Sequence, residues 1–246
     1  MGGQLAVVPG RDVRPGAEPV HRSIVVVDVE ASTTRTNPER GELRRVMYAM
    51  LEQALHVSGI TAGHLEPMAD RGDGVLILIK PHDDVPKTVL LGVFIPALAT
   101  LLDEHNAAVS RPALRLRLRA VIHAGEIHDD GRGFYGEDLD VAFRLLNAQK
   151  VKDALREAPA APLVLVVSEA IFTGIVRHRY VDTDDYEPLV RVRVAELSHR
   201  GWVHFPVPDT RDRLAAISRQ EYPQLLPARS IAPADAFRND ALALTM

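Results

Sequence analysis

Two short acidic stretches, far apart in the chain, carry the residue types that metal-assisted phosphate chemistry needs. Residues 23–36, SIVVVDVEASTTRT, are a β-branched run that ends on Asp28 and Glu30 and continues into small hydroxylated residues. Residues 70–74, DRGDG, set Asp73 between two glycines just ahead of the apolar run at 75–79. A buried strand that ends on a carboxylate holds that group at the rim of a sheet. Asp28 and Asp73 at one rim would suit magnesium, which takes one or two carboxylates and completes its shell with waters and substrate phosphates. Two ions so held can polarise the attacking and leaving oxygens of a phosphoryl displacement. The competing reading of DG and GDG is turn chemistry, in which the carboxylate bonds its own backbone.

A third stretch, residues 123–148, reads HAGEIHDDGRGFYGEDLDVAFRLLNA. Asp140 and Arg144 lie four apart near the start of a helix and so share a face. They are either a surface ion pair or an arginine placed to neutralise charge on a phosphoryl group. His123, His128, Asp129 and Asp130 lack the helical histidine pair or fixed ligand spacing of a transition-metal site. His123 is therefore expected to support structure.

The elements that must position these residues follow from periodicity. A strand is predicted at 23–29, then a helix at about 39–57 with Leu43, Val46, Met47, Met50, Leu51, Ala54 and Leu55 on one face. Ser58-Gly59 ends it. Strands are predicted at 64–69 and 75–79 around the DRGDG turn. A helix at about 86–106 follows, which Pro96 should kink or split. A strand is predicted over 114–127, where Arg115, Arg117 and Arg119 alternate with Leu114, Leu116 and Leu118. Strand, helix, strand, strand, helix, strand is the ferredoxin-like βαββαβ order of an α+β fold. Beyond it, a helix at 139–157, a strand at 163–167, a short helix at 169–178 and strands at 189–195 and 201–206 extend the sheet. The division expected is an arm at 1–21, one domain at 22–207 and a Pro- and Arg-rich tail at 208–246.

Bulk properties narrow the function classes. With 46% hydrophobic and 25% charged residues among 246, the composition is that of a soluble globular protein. The absence of cysteine excludes disulfides, thiolate chemistry and Cys-ligated zinc. A net charge of −4 offers no footprint for nucleic acid. The longest apolar run, 89–102, is broken by Gly92 and Pro96 and falls short of a bilayer span. No signal peptide is evident, so no membrane partner and a cytoplasmic setting are expected.

Taken together, the motifs resemble the class III nucleotidyl cyclases. VVVDVEASTTR is similar to their first metal segment, RGDGVLILI to their second, and HAGEI to their His-Thr-Gly-Glu-Val type strand. GEDLDVAFRLL lies over their Gly-x-x-Val-Asn-x-Ala-x-Arg-Leu helix, and VVSEAIF and RGWVHFPV over their later segments. The match is collinear from about 23 to 206. The resemblance implies two Mg²⁺ or Mn²⁺ ions per site, held by Asp28, Asp73 and the Val29 carbonyl. It implies transition-state stabilisation by Arg144 and a turn at Gly136 leading into its helix. It implies a nucleoside triphosphate substrate, cyclised to a 3′,5′-cyclic nucleotide with loss of pyrophosphate, in a homodimer with shared active sites. Arg71, Arg191, Arg193 and Arg200 are candidate cations for the leaving group.

The chain also departs from that family. Asp140 stands where the family has the asparagine that orients the ribose. Ala69 and Gly133 stand where it places its purine-reading side chains, and Ala31-Ser32 replaces Gly-Phe. The base is therefore unassigned; some family members make cyclic pyrimidine nucleotides in antiphage defence, and a pocket without purine selectors fits that chemistry. The alternatives are an inactive cyclase-fold module that binds nucleotide and regulates a partner, and a phosphohydrolase that uses the same metals.

Overall fold

The computed structural model describes residues 18–181 and 185–207; most of the expected arm and all of the tail from 208 lie outside the described residues. The first half of the chain runs β1 (Val20–Val29), α1 (Asn37–Val57), β2 (Ala69–Asp70), β3 (Gly74–Ile79), α2 (Lys87–Val89), α3 (Ile95–Ala108) and β4 (Leu118–Asp129). The second half adds β5 (Phe134–Tyr135), α4 (Glu137–Asn147), α5 (Gln149–Glu157), β6 (Leu163–Ser168), α6 (Glu169–Gly174), β7 (Glu187–Val194) and β8 (Leu197–His204). The main sheet has the order β2-β3-β1-β4-β6-β8-β7, with β5 pairing to β4. All these pairings are antiparallel except β4 with β6. The first four strands have the ferredoxin-like order, and the rest extend the sheet as expected.

β1 sits between β3 and β4 and is covered on both faces, which explains its unbroken apolar run. Val25, Val27 and Val29 enter a core with α1 and α3. Ile24 and Val26 enter a second core with α4 and α5. The two-residue period then places Asp28 on the α4–α5 side. α1 begins at a capping box in which Thr36 and Glu39 satisfy each other's ends. It ends before Gly59, whose φ of 70° is the left-handed conformation expected there.

Several boundaries differ from expectation, each for a local reason. β1 begins at Val20, inside the expected arm, because Val20 to Arg22 pair with β4. β2 is two residues long rather than six. His64 closes a 3₁₀ turn by accepting from the Thr61 N–H, Leu65 makes only an isolated bridge to Ile79, and Pro67 has no N–H to give. β4 starts at Leu118 because the Asn106 side chain takes both backbone groups of Leu116. The helix over 139–157 is two helices, α4 and α5, broken at Ala148, whose ψ is 134°. The expected short helix at 169–178 becomes α6 and a 3₁₀ turn, Val176–His178. β7 and β8 meet at a tight hairpin where Ala195 has φ 48°, so β8 starts earlier than predicted.

Pro96 does interrupt its helix. A π-helical turn, Leu90–Phe94, precedes α3 and places Pro96 in the first turn of the restarted α-helix, where its missing N–H is tolerated. The continuous stretch Lys87–Ala108 spans 22 residues and by length and composition could cross a membrane, which corrects the shorter apolar run read from sequence. Its apolar side is instead packed in the α1 core through Leu90, Leu91, Phe94, Leu98 and Leu102.

Candidate active site

Asp28, next to last in β1, lies directly opposite Arg119 of β4 on one side and Gly74 of β3 on the other. The register makes a fork: Arg119 Nε donates to Asp28 Oδ1 at 2.8 Å and its terminal NH₂ to Oδ2 at 2.6 Å. Both partners are buried, at 8% and 9% exposure. Bidentate arginine–carboxylate pairs are strong and geometrically specific. Burial pushes the Asp28 carboxyl above its ordinary range and the nearby Asp73 charge adds to this, while Arg119 pulls the other way. Gly74 is required here, because a Cβ would sit 2.5 Å from the Val27 carbonyl oxygen.

The β2–β3 hairpin brings Asp73 to the same place. The Val29 N–H donates to the Asp73 carbonyl at 3.0 Å, tying the hairpin to the end of β1. The Ser32 hydroxyl, in the 3₁₀ turn just after β1, donates to Asp73 Oδ2. The turn chemistry of DRGDG belongs to the other acid: Asp70 accepts from the Gly72 N–H at 2.6 Å and from Arg44. Those bonds hold the Asp70 carboxyl below its ordinary range, the Gly72 N–H contributing most. Asp73 takes no part in closing the turn, and its side chain faces the cleft with Asp28.

The two acids line one pocket of about 480 Å³, together with Val29, Ser32, Arg71, Arg119, Phe143, Asn147 and Lys152. Arg71 lies over the Phe143 ring, 5.0 Å from its centroid, and so links the hairpin to α4. The donors suit a hard divalent ion: the Asp28 carboxylate from β1, the Asp73 carboxylate from the β2–β3 turn and the Val29 backbone. No group of three His, Cys, Asp or Glu among the described residues forms a denser metal cage. Magnesium needs none, since waters and phosphates complete its shell. Arg119 takes one lone pair on each Asp28 oxygen, so an ion bound there would compete with the guanidinium for the carboxylate's charge.

The other residues singled out from sequence lie elsewhere. Asp140 and Arg144 occupy the exposed side of α4, do not line this pocket, and make no ion pair with each other. Gly136 caps α4 with φ 138°. Ala69 lies half-buried in β2 and Gly133 exposed before β5, both outside the pocket lining. Arg191, Arg193 and Arg200 sit exposed on the β7–β8 hairpin, also away from the lining. Glu30, paired with Asp28 in the sequence, is instead bound by Arg117 at 3.0 Å.

His123 has a structural role, as expected. Its Nδ1 meets Ser168 Oγ at 2.7 Å and its Nε2 meets Asp138 Oδ1 at 2.9 Å. Asp138 also accepts from the Glu126 N–H at 2.6 Å. Any side chain at Gly125 would collide with that carboxylate, at 2.1 Å. These bonds fasten the start of α4 to β4. Sequence reasoning missed Arg119, Ser32, Asn147 and Lys152 as site residues. The available signal was Arg119 itself, a charged residue leading straight into the apolar run Ala120–Ile122.

Comparison with solved structures supplies the fold's identity. An adenylate/guanylate cyclase/hydrolase from Silicibacter pomeroyi superposes with a TM-score of 0.55 at 17% identity, covering 77% of this chain and 99% of that one. A bacterial light-regulated adenylyl cyclase gives 0.53 at 13% identity, covering 88% of this chain and 60% of that one. The catalytic core of a rhodopsin-guanylyl cyclase with converted specificity, in complex with ATPαS, gives 0.50 at 12% identity over 76% of this chain and 96% of that one. This is the fold of class III nucleotidyl cyclase domains. The present chain thus spans less than two thirds of the light-regulated cyclase and nearly all of the Silicibacter protein. No protein-family model matches the cyclase-fold chain, and no curated protein is similar to it in sequence.

Proposed function

We propose that this chain is a nucleotidyl cyclase that converts a nucleoside triphosphate to a 3′,5′-cyclic nucleotide and pyrophosphate. The observation that carries the reading is the meeting of Asp28, from β1, and Asp73, from the β2–β3 turn, in one cation-lined pocket on a cyclase fold. Asp28, Asp73 and the Val29 carbonyl would hold Mg²⁺ or Mn²⁺. When bound, such ions offset phosphate charge and acidify the attacking hydroxyl. The ribose 3′-oxygen attacks the α-phosphorus, the bond from that phosphorus to the bridging oxygen breaks, and pyrophosphate leaves with the electron pair. The hydroxyl proton passes to solvent. Arg119 and Arg71 are the cations placed to draw the phosphates inward, and Phe143 steadies Arg71.

Asp140 and Arg144 are exposed on α4 and do not line the pocket of their own chain, so their part in the reaction calls for a second copy of the chain. In that homodimer each site combines the acids of one copy with α4 of the other. Ala69 and Gly133 carry no side chain able to read a purine edge, so pyrimidine triphosphates are tested beside purine ones.

The test is incubation with each of the four ribonucleoside triphosphates and Mn²⁺, with mass-spectrometric detection of cyclic monophosphates. Product is expected from at least one, and Asp73→Ala should lower its rate at least about a hundredfold, the scale on which loss of charge stabilisation acts. A second reading, a nucleotide-binding module without catalysis, is favoured by the Arg119 fork on Asp28 and by Asp140 in place of asparagine. Four blanks with saturable nucleotide binding would establish it.

A further inference from the structure

The break at Ala148 has a chemical consequence. With ψ 134° there, the chain turns between α4 and α5 instead of continuing as one helix. α5 is then anchored by Val151 and Leu155, both fully buried in the core it shares with α4 and β6. Lys152, next to Val151, is thereby carried back to the Asp28–Asp73 pocket and forms part of its wall. It is half-buried, and its charge favours the ionised form of Asp28.

The pocket's cations differ in what already occupies them. Arg119 spends two N–H donors on Asp28, and Arg71 rests on the Phe143 ring. The Lys152 ammonium has no hydrogen bond or ion pair among the described residues, although Asp153 beside it is engaged by Gln149 and Arg156. A half-buried ammonium with its donors unspent, facing a cleft with two other cations, is placed for an anion.

We propose that Lys152 is a phosphate-binding residue of this pocket, supplied by the same chain as the two acids, and that it takes the polyphosphate before Arg119 leaves Asp28. The inference rests on the reading that the pocket receives a nucleoside triphosphate, and adds which residue meets the phosphates first. Without a divalent ion, Asp28 keeps Arg119, so Lys152 and Arg71 supply the attraction. When an ion claims Asp28, the freed Arg119 guanidinium joins them. Lys152 therefore matters with and without metal, whereas Arg119 matters chiefly with it.

The probe is inorganic pyrophosphate, titrated calorimetrically into the full chain, first in EDTA and then with Mn²⁺. In EDTA, Lys152→Ala should raise Kd about tenfold or more, the loss expected for one charge-assisted contact. Lys152→Arg should restore most of the affinity. Lys150→Ala, an exposed lysine on the same helix outside the pocket, should change Kd by less than about twofold. Thermal melts of all three variants separate binding from folding; if Lys152→Ala is unfolded, Lys152→Gln takes its place. No pyrophosphate binding by the wild type, or equal effects of the Lys152 and Lys150 variants, would overturn the proposal even if a cyclic nucleotide is made. Lys152-dependent binding without cyclisation would uphold it and count against the cyclase reading alone.

Discussion

At Asp28 and Arg119, stability and the proposed ligand binding pull against each other. Removing a carboxylate and a guanidinium from water is costly, and the fork between them recovers that cost only while both are present. Arg119→Met should therefore destabilise the fold by about 3–5 kcal/mol, because Asp28 remains buried without its partner. Adding Asp28→Leu to that variant should recover most of the loss, since an apolar pair fits the adjoining Val26 and Val121 core. Urea unfolding of the wild type, the single and the double variant measures both effects. A single variant as stable as wild type would mean that the fork contributes nothing. The same pair explains why the site was only half legible from sequence. Asp28 stands out as an acid closing an apolar strand, but Arg119 looks like one of three alternating surface arginines until the β1–β4 register sets it opposite Asp28.

At the scale of elements, legibility followed whether local pattern and tertiary contacts agreed. β1, β3 and β6 are apolar runs buried on both faces, and α1 has a one-sided stripe, a capping box and a glycine stop. Where a side chain replaced a strand partner, as Asn106 does for Leu116, no local signal was available. The α4–α5 break is similar: no Gly or Pro marks Ala148, where the chain turns so that Val151 and Leu155 of α5 enter the same core as α4. α4 is held at its other end by Asp138, whose carboxyl lies below its ordinary range, first because of the His123 hydrogen bond and then the Glu126 N–H. A carboxyl depressed in the folded state contributes stability above its unfolded value of 3.8, and that contribution is lost as pH falls through the lower folded value. Asp138→Asn should therefore be less stable than wild type at neutral pH, with the gap closing below about pH 3.8. Parallel denaturation curves from pH 7 to pH 3 test this; a gap constant with pH would remove the carboxylate charge from the explanation.

At the scale of the whole molecule, α4 supplies two sets of side chains. Phe143, Leu146 and Asn147, towards its C-terminal end, line the pocket of its own chain, while Asp140 and Arg144 are exposed and outside that lining. A helix used in this way can complete a neighbour's site without giving up its own. In the proposed homodimer, closed two-fold assembly would make two equivalent sites, each needing Asp73 from one copy and Arg144 from the other. Asp73→Ala and Arg144→Ala chains should each be inactive alone. Mixed in equal amounts and allowed to exchange, half of the dimers would be mixed, and each mixed dimer would hold one complete site of two. The mixture should regain about a quarter of wild-type cyclase activity per dimer. Recovery near that level, on a size-exclusion profile that matches the wild-type dimer, would place Arg144 across the interface. A mixture that stays as inactive as its components would confine the reaction to groups of a single chain, and Arg71, Arg119 and Lys152 would then be the cations left to perform it.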